Sequence, residues 1–413
     1  MPEPPTDSGA KTDVVVVGGG VAGLEGLLAL HDLAGDRASL TLISEDDEFV
    51  YKPLLVEEPF GSGPAERHEL EPIAREQGAG FRRGRLKAVN PEDRSLELEG
   101  GESVGYDVLL VTVGGRFRPA LEGVTTFPSP EPFGIDEILD RAAGTAHRLA
   151  FIVPSGSSWP LPLYEVALMT QRRAAERGAD ASLAVITPES APLGLFGPAP
   201  SAAVAELLRS RGIELFTEST VREVSGEGIR LSPGDRLIGP SEAIALPIME
   251  GPAIEGLPSD AHGFIPVDEH SRVKGVEGIY AAGDGTTFPI KQGGLATQQA
   301  DAAAEHIAHE LGAGGAAESF RPVLRGKLLT GEESVNLSAN VAGGSGDPEV
   351  SADYLWWPPH KIAARYLSPF LYHGESHTEP EPPPDSLDVE VALPKEWHEQ
   401  PIALDTDRPP EVD

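Results

Sequence analysis

Asp13-Val14-Val15-Val16-Val17-Gly18-Gly19-Gly20-Val21-Ala22-Gly23 is the most informative run of the 413-residue chain. Its apolar, β-branched start reads as a buried parallel strand. The turn after it fits G-x-G-x-x-G, and an apolar-periodic helix follows over residues 21–33. Each glycine has its own reason. Gly18 permits the tight turn, Gly20 lets bare backbone approach a pyrophosphate, and Gly23 lets the helix pack close to the strand. The first N–H groups of the helix, around Val21 and Ala22, offer an anion free donors and the positive end of the helix dipole.

Outward from this turn, residues 39–43 (SLTLI) make the next strand. An acid is expected at its end to take ribose hydroxyls. Ser44 occupies that place, and Glu45 is the candidate. Residues 106–113 (YDVLLVTV) form a further buried strand ending in Gly114-Gly115. A second strand–turn–helix–strand unit runs through a strand at 148–153, a helix at 163–177, a strand at 182–187, a helix at 200–211 and a strand at 213–216. This alternation predicts an α/β fold of two Rossmann-like units with parallel sheets. Residues 276–284 (VEGIYAAGD) give a strand running into Gly283-Asp284, then a helix at 293–311. A linker at 312–318 leads to an aromatic-rich segment, 319–373. From Glu375 onward the chain is acidic and Pro-rich and is expected to be disordered.

Composition narrows the chemistry. Lys and Arg total 32 against 66 Asp and Glu, a net charge of −34. Such a chain repels the phosphates of nucleic acid and of anionic lipid, so no nucleic-acid partner is expected. It contains no cysteine. Disulfides, redox dithiols, Cys-ligated clusters and thiolate nucleophiles are therefore excluded, and any redox chemistry comes from a bound cofactor. The first eleven residues lack the pattern of a signal peptide, and no run of about 18 apolar residues occurs. The location expected is cytoplasmic.

Together, the first glycine motif, Thr112-Val113-Gly114 and the distant Gly283-Asp284 resemble the two-dinucleotide-domain flavoproteins of the pyridine nucleotide–disulfide oxidoreductase superfamily. The resemblance is to the branch holding type II NADH dehydrogenases, sulfide:quinone oxidoreductases and flavocytochrome c sulfide dehydrogenase flavoprotein subunits. It covers residues 12–312 and, more loosely, the chain to 373. It implies an FAD domain from 12–115 and 255–312, a second NAD(P)-binding-like domain at 116–254, a C-terminal module at 313–374 and a tail at 375–413. It also implies FAD held by Gly18, Gly20, Val21, Ala22, Gly23 and Glu45, with Thr112 and Gly114 near its phosphates and Asp284 on the ribityl–phosphate side. Lys291, Gln292 and Gly293 match the stretch that abuts the flavin ring in the sulfide:quinone branch. Lys52 and Pro53 match a segment beside the flavin.

The chain also departs from that pattern. A competent NAD site needs a second G-x-G-x-x-G after the 148–153 strand. The chain has Pro154-Ser155-Gly156-Ser157-Ser158-Trp159-Pro160, where bulk and proline replace bare backbone. Against this, Glu189 ends the next strand as a ribose site would want, and Glu165 keeps the acid of NADH-using relatives. The residues thus divide on NAD(P)H as donor. A persulfide relay is impossible without cysteine. Gln298 and Gln299 are candidates for lining a quinone headgroup or for an exposed helix face. His306 and His309 read as a solvated helix face, and no metal site is expected. The aromatics of 355–372 touch the inner face of a membrane, cover the flavin or pack a dimer interface. The reading is an FAD-dependent oxidoreductase passing electrons from a reduced donor to a quinone-like acceptor. Its rivals are a non-nicotinamide donor, or a flavoprotein subunit that needs a redox partner. A homodimer is the other partner considered.

Overall fold

The computed structural model describes residues 11–374 apart from 62, 130–132, 143–147, 240, 314, 333, 340–348 and 352–354. The acidic tail lies outside the described residues.

The valine run forms the strand Thr12–Val17, with Val14 to Val17 all buried. It is central in a parallel sheet ordered Ile279–Ala281, Val108–Val111, Thr12–Val17, Ala38–Ser44, Gly80–Arg83. The order reverses between Thr12–Val17 and Val108–Val111, so a crevice opens beyond their carboxyl ends, where open α/β sheets bind ligands. A second parallel sheet repeats the plan: Thr125–Thr126, Ser241–Ala245, Arg148–Ile152, Ser182–Ile186, Glu214–Phe216. Its reversal lies between Arg148–Ile152 and Ser241–Ala245, and their following loops face the same crevice.

The expected strand at 276–284 is shorter, Ile279–Ala281. Gly275 and Gly278 both take positive φ, +87° and +71°, and that curls the chain before it can extend. The remaining expected elements hold their places to within a few residues. At Gly26 the Val21–Ala34 helix packs onto the sheet and beside Gly293–Glu310, where a Cβ would stand 2.7 Å from Leu110 Cδ2 and 3.7 Å from Ala300 Cβ.

The C-terminal segment joins both sheets. Its antiparallel strands Leu324–Leu328, Val335–Ala339 and Glu349–Ser351 place Leu324, Leu328 and Leu337 in the core of the second sheet. Ile362, Leu367 and Leu371 join the core of the first. At roughly 1.5–3 kcal/mol for each fully buried aliphatic side chain, these contacts outweigh the exposed Arg365–Glu305 pair, 2.7 Å, worth about 0–1 kcal/mol. The aromatics here turn inward. Trp356 is buried and donates from Nε1 to the His360 carbonyl, 2.9 Å, and Trp357 packs edge-on against Tyr372. Trp357, Tyr366, Phe370 and Tyr372 are half-buried. No described helix is long and apolar enough to cross a membrane.

A buried carboxylate anchors this segment. Glu25 accepts from the backbone N–H groups of Tyr366, 2.8 Å, and Leu367, 2.6 Å, at the start of the Leu367–Gly374 helix. Burial, and then the charge of Glu25, raise the Asp301 carboxyl well above its usual range. The unfolded chain thus sheds the Asp301 proton at a lower pH than the folded one. Stability from this group is fully present in acid and is lost as pH rises toward the folded value. Asp301→Asn keeps the neutral form at every pH. Its melting temperature should exceed that of the native chain by more at about pH 8 than at about pH 5; an equal difference at both would contradict the assignment.

Candidate functional site

The site is built where the central strand ends. Gly18 has φ +119°, and a Cβ on it would lie 2.4 Å from the Thr112 carbonyl oxygen. A Cβ on Gly23 would lie 1.7 Å from the Gly18 oxygen. Thr112 closes this packing, its N–H donating to Val17 O at 2.7 Å and its hydroxyl to Val17 O at 2.9 Å. Gly20 differs: it is the extended N-cap of the Val21–Ala34 helix, and nothing stands within 4 Å of where its Cβ would be. The first turn carries no acid. Open N–H groups behind bare glycine form a cradle that fits a pyrophosphate.

The cradle opens into a cavity of about 530 Å³. Gly18, Gly20, Val21, Ala22, Glu45, Lys52, Pro53, Thr112, Gly114, Gly283, Asp284, Lys291, Gln292 and Gly293 all border it. Gly23 lies behind, as its packing role requires. Glu45 faces Arg85 Nη1 at 3.5 Å, and Arg85 also borders the cavity.

Asp284 and Lys291 follow the Ala281 strand end, where Gly283 packs against Ala22 of the cradle. Asp284 keeps partial exposure because it borders the cavity, while the protein mass around it raises its carboxyl above the usual range against the pull of Lys291 and Lys52. Lys291 is buried, donates to the Thr286 carbonyl and lies 4.0 Å from the Phe264 ring centre. Burial lowers its ammonium to about 8, with Asp284 and Asp260 opposing. It is not a surface lysine. Gln292 is committed locally: its Oε1 accepts from Leu295 N–H, 2.8 Å, to cap the Gly293–Glu310 helix, and its Nε2 donates to Arg325 O, 3.1 Å.

A further wall holds Trp159, read from the sequence only as bulk in the degenerate turn, and three residues given no role there. Trp159, Lys327, Lys361 and Ile362 border the cavity. Lys361 Nζ donates to Glu165 at 2.6 Å and to Pro53 O at 2.8 Å. A signal existed: the chain has only eight lysines, and four of them (52, 291, 327, 361) converge here.

Several expectations need correction. Glu165 is 0% exposed, bound to Lys361 and to the Leu329 N–H at 2.8 Å, so it does not face a nucleotide. Glu189 accepts from the Tyr164 hydroxyl, 2.6 Å, and the Thr187 hydroxyl, 2.9 Å, and burial raises its carboxyl. Gln298 is neither exposed nor in the cavity; it pairs with Val323, donating to its carbonyl at 2.9 Å and accepting its N–H at 2.8 Å. Gln299 is buried and accepts the Gly283 N–H. His306 is half-buried, 2.8 Å from the Tyr280 hydroxyl and packed against His270, so its ring does not belong to a solvated face.

The family described as pyridine nucleotide-disulphide oxidoreductase matches residues 164–306, a span that begins just past the degenerate 154–160 turn. An alternative NAD(P)H-ubiquinone oxidoreductase C1 of Arabidopsis thaliana is 24% identical over 338 residues, covering 68% of this chain and 62% of its own length. The chain therefore matches less than two thirds of that relative. A demethylphylloquinone reductase of Synechocystis is 23% identical over 304 residues, 67% of this chain and 72% of its own. Among solved structures, the sulfide:quinone oxidoreductase of Aquifex aeolicus shares the fold with a TM-score of 0.74 at 20% identity, over 83% of this chain and 87% of that one.

Proposed function

We propose that this chain, a member of the pyridine nucleotide-disulphide oxidoreductase family and an FAD-dependent oxidoreductase, reduces a quinone with electrons from a donor other than NAD(P)H. In this reading residues 12–115 and 255–312 hold FAD, 116–254 are a scaffold that no longer takes a nucleotide, and 313–374 close the cavity. Bound FAD would supply the two-electron exchange. Gly18, Gly20 and the N–H groups of Val21 and Ala22 hold the pyrophosphate, with Thr112 and Gly114 beside it. Glu45 takes the ribose hydroxyls and Asp284 the ribityl side. Lys291 and the N-terminus of the Gly293–Glu310 helix lend positive potential to one edge of the ring, which favours added electron density there. Lys52 and Pro53 flank it.

Quinone reduction consumes two protons. Lys361 borders the cavity and can hold a proton at Nζ for an acceptor oxygen, its ammonium fixed in place by the Glu165 carboxylate at 2.6 Å. Phe127, Leu161, Trp159 and Leu246 give that chamber an apolar lining suited to a flat ring.

The observation that carries the donor assignment is the fate of the two acids a nicotinamide nucleotide would need. Glu165 and Glu189 are both committed to partners of this chain. An anaerobic titration of the FAD-loaded protein tests it. The blue absorbance band of the flavin should persist under excess NADH and NADPH, and a quinone should reoxidise chemically reduced protein. Bleaching by either nucleotide within turnover times would overturn the donor assignment.

A further inference from the structure

The cavity charges Asp284 and Lys291 are set by one short turn, and a residue outside the cavity pins that turn. Gln299, 2% exposed on the Gly293–Glu310 helix, accepts at Oε1 from the Gly283 N–H, 2.7 Å, and from the Thr286 hydroxyl, 3.2 Å. The Thr286 hydroxyl lies 2.9 Å from Gly283 O, and Thr286 N–H donates to the same oxygen at 3.0 Å. The turn has no slack elsewhere. Gly283 holds φ +84°, and a Cβ there would meet Ala22 and Ala296 at 3.2 and 3.3 Å. The Gln299 carbonyl is itself fixed by the Ser271 hydroxyl, 2.9 Å, and the Ser271 carbonyl accepts the Ala281 N–H, 2.9 Å. The helix is thereby tied to the strand that feeds the turn. Thr286 ends the turn, and its carbonyl receives the Lys291 ammonium.

We propose that Gln299 is a positioning residue: by fixing the turn at 283–286 it holds Lys291 and Asp284 in place against the bound cofactor. The proposal rests on reading the cavity as the FAD site, and it assigns to Gln299 no contact with cofactor or acceptor. Without its amide oxygen, the Gly283 N–H would be buried unpaired, and the turn would relax to find another acceptor. The Thr286 carbonyl would shift with it, and Lys291 would escape toward solvent.

The test follows each lysine separately. The protein is labelled across a pH series with an amine-acylating reagent, and each site is read by peptide mass. In the native chain the Lys291 midpoint should lie near 8. In Gln299→Leu it should rise by about one pH unit or more, as the ammonium regains water, while Lys87 and Lys274 keep theirs. Thr286→Val, which removes one hydroxyl and little volume, should move it in the same direction by less. In FAD-loaded protein the same variants should lower the two-electron midpoint potential, because a positive charge has left the ring edge. An unmoved Lys291 midpoint in both folded variants overturns the proposal, as does a moved midpoint with an unchanged potential. If Gln299→Leu does not fold, Thr286→Val decides alone. A native chain that retains no FAD sinks the functional reading instead, and the labelling comparison still judges the turn.

Discussion

Replacing Lys361 with Met should destabilise the folded chain by about 3–5 kcal/mol, the usual cost of removing one partner from a buried ion pair. Glu165 has no solvent contact, and Lys361 is 8% exposed at its side chain. Removing the ammonium strands a carboxylate in the protein interior. Burial already raises the Glu165 carboxyl against the pull of Lys361, so without Lys361 it rises further and holds its proton. A raised folded value means stability is lost as pH climbs through it. The penalty should therefore grow from about pH 5 to about pH 8. Lys361→Met combined with Glu165→Gln should recover most of the loss, because the second change removes the stranded charge. Urea unfolding of the four proteins at two pH values measures this. Quinone reduction by the double variant should stay about 100-fold or more below native, since the proton carried at Nζ is gone. A double variant with native turnover would exclude Lys361 from proton delivery.

The glycine cradle gives the second large effect, and two of its glycines should fail differently. Gly23→Val places atoms where the Gly18 carbonyl already stands, 1.7 Å from an ideal Cβ. Overpacking of this kind costs about 1–3 kcal/mol or more, so both the melting temperature and flavin content should fall. Gly20→Val meets no atom of this chain within 4 Å of its Cβ, and its φ of −86° is open to any residue. That variant should melt like the native protein and yet lose its yellow colour, because the added side chain fills only the space reserved for the pyrophosphate. Calorimetry with flavin absorbance separates the two. A fully yellow Gly20→Val would remove the cradle from the FAD site.

The local code was legible wherever one segment carries both the pattern and its reason. The valine run, the glycine turn and Gly283-Asp284 each announce themselves within a dozen residues, and every one of them reaches the cavity. Lys361 and Glu165 are separated by 196 positions, and nothing in either neighbourhood encodes their meeting. The same holds for Gln298 and Gln299, whose spacing on a helix face is compatible with lining a site. Only Val323, just ahead of the Leu324–Leu328 strand, and the turn at 283–286 decide that their amides are already taken. Glu189 is a similar case: it sits at a strand end where a ribose ligand belongs, but its carboxylate accepts the hydroxyl of Tyr164, in the first turn of the preceding Leu161–Arg177 helix.

The order in which the cavity walls occur along the polypeptide bears on how the protein is made. The cradle at Gly18 leaves the ribosome early, the floor at Asp284 and Lys291 much later, and Lys327, Lys361 and Ile362 last. A growing chain thus displays both dinucleotide-type sheets before the lysine-bearing wall that shuts them in has been synthesised.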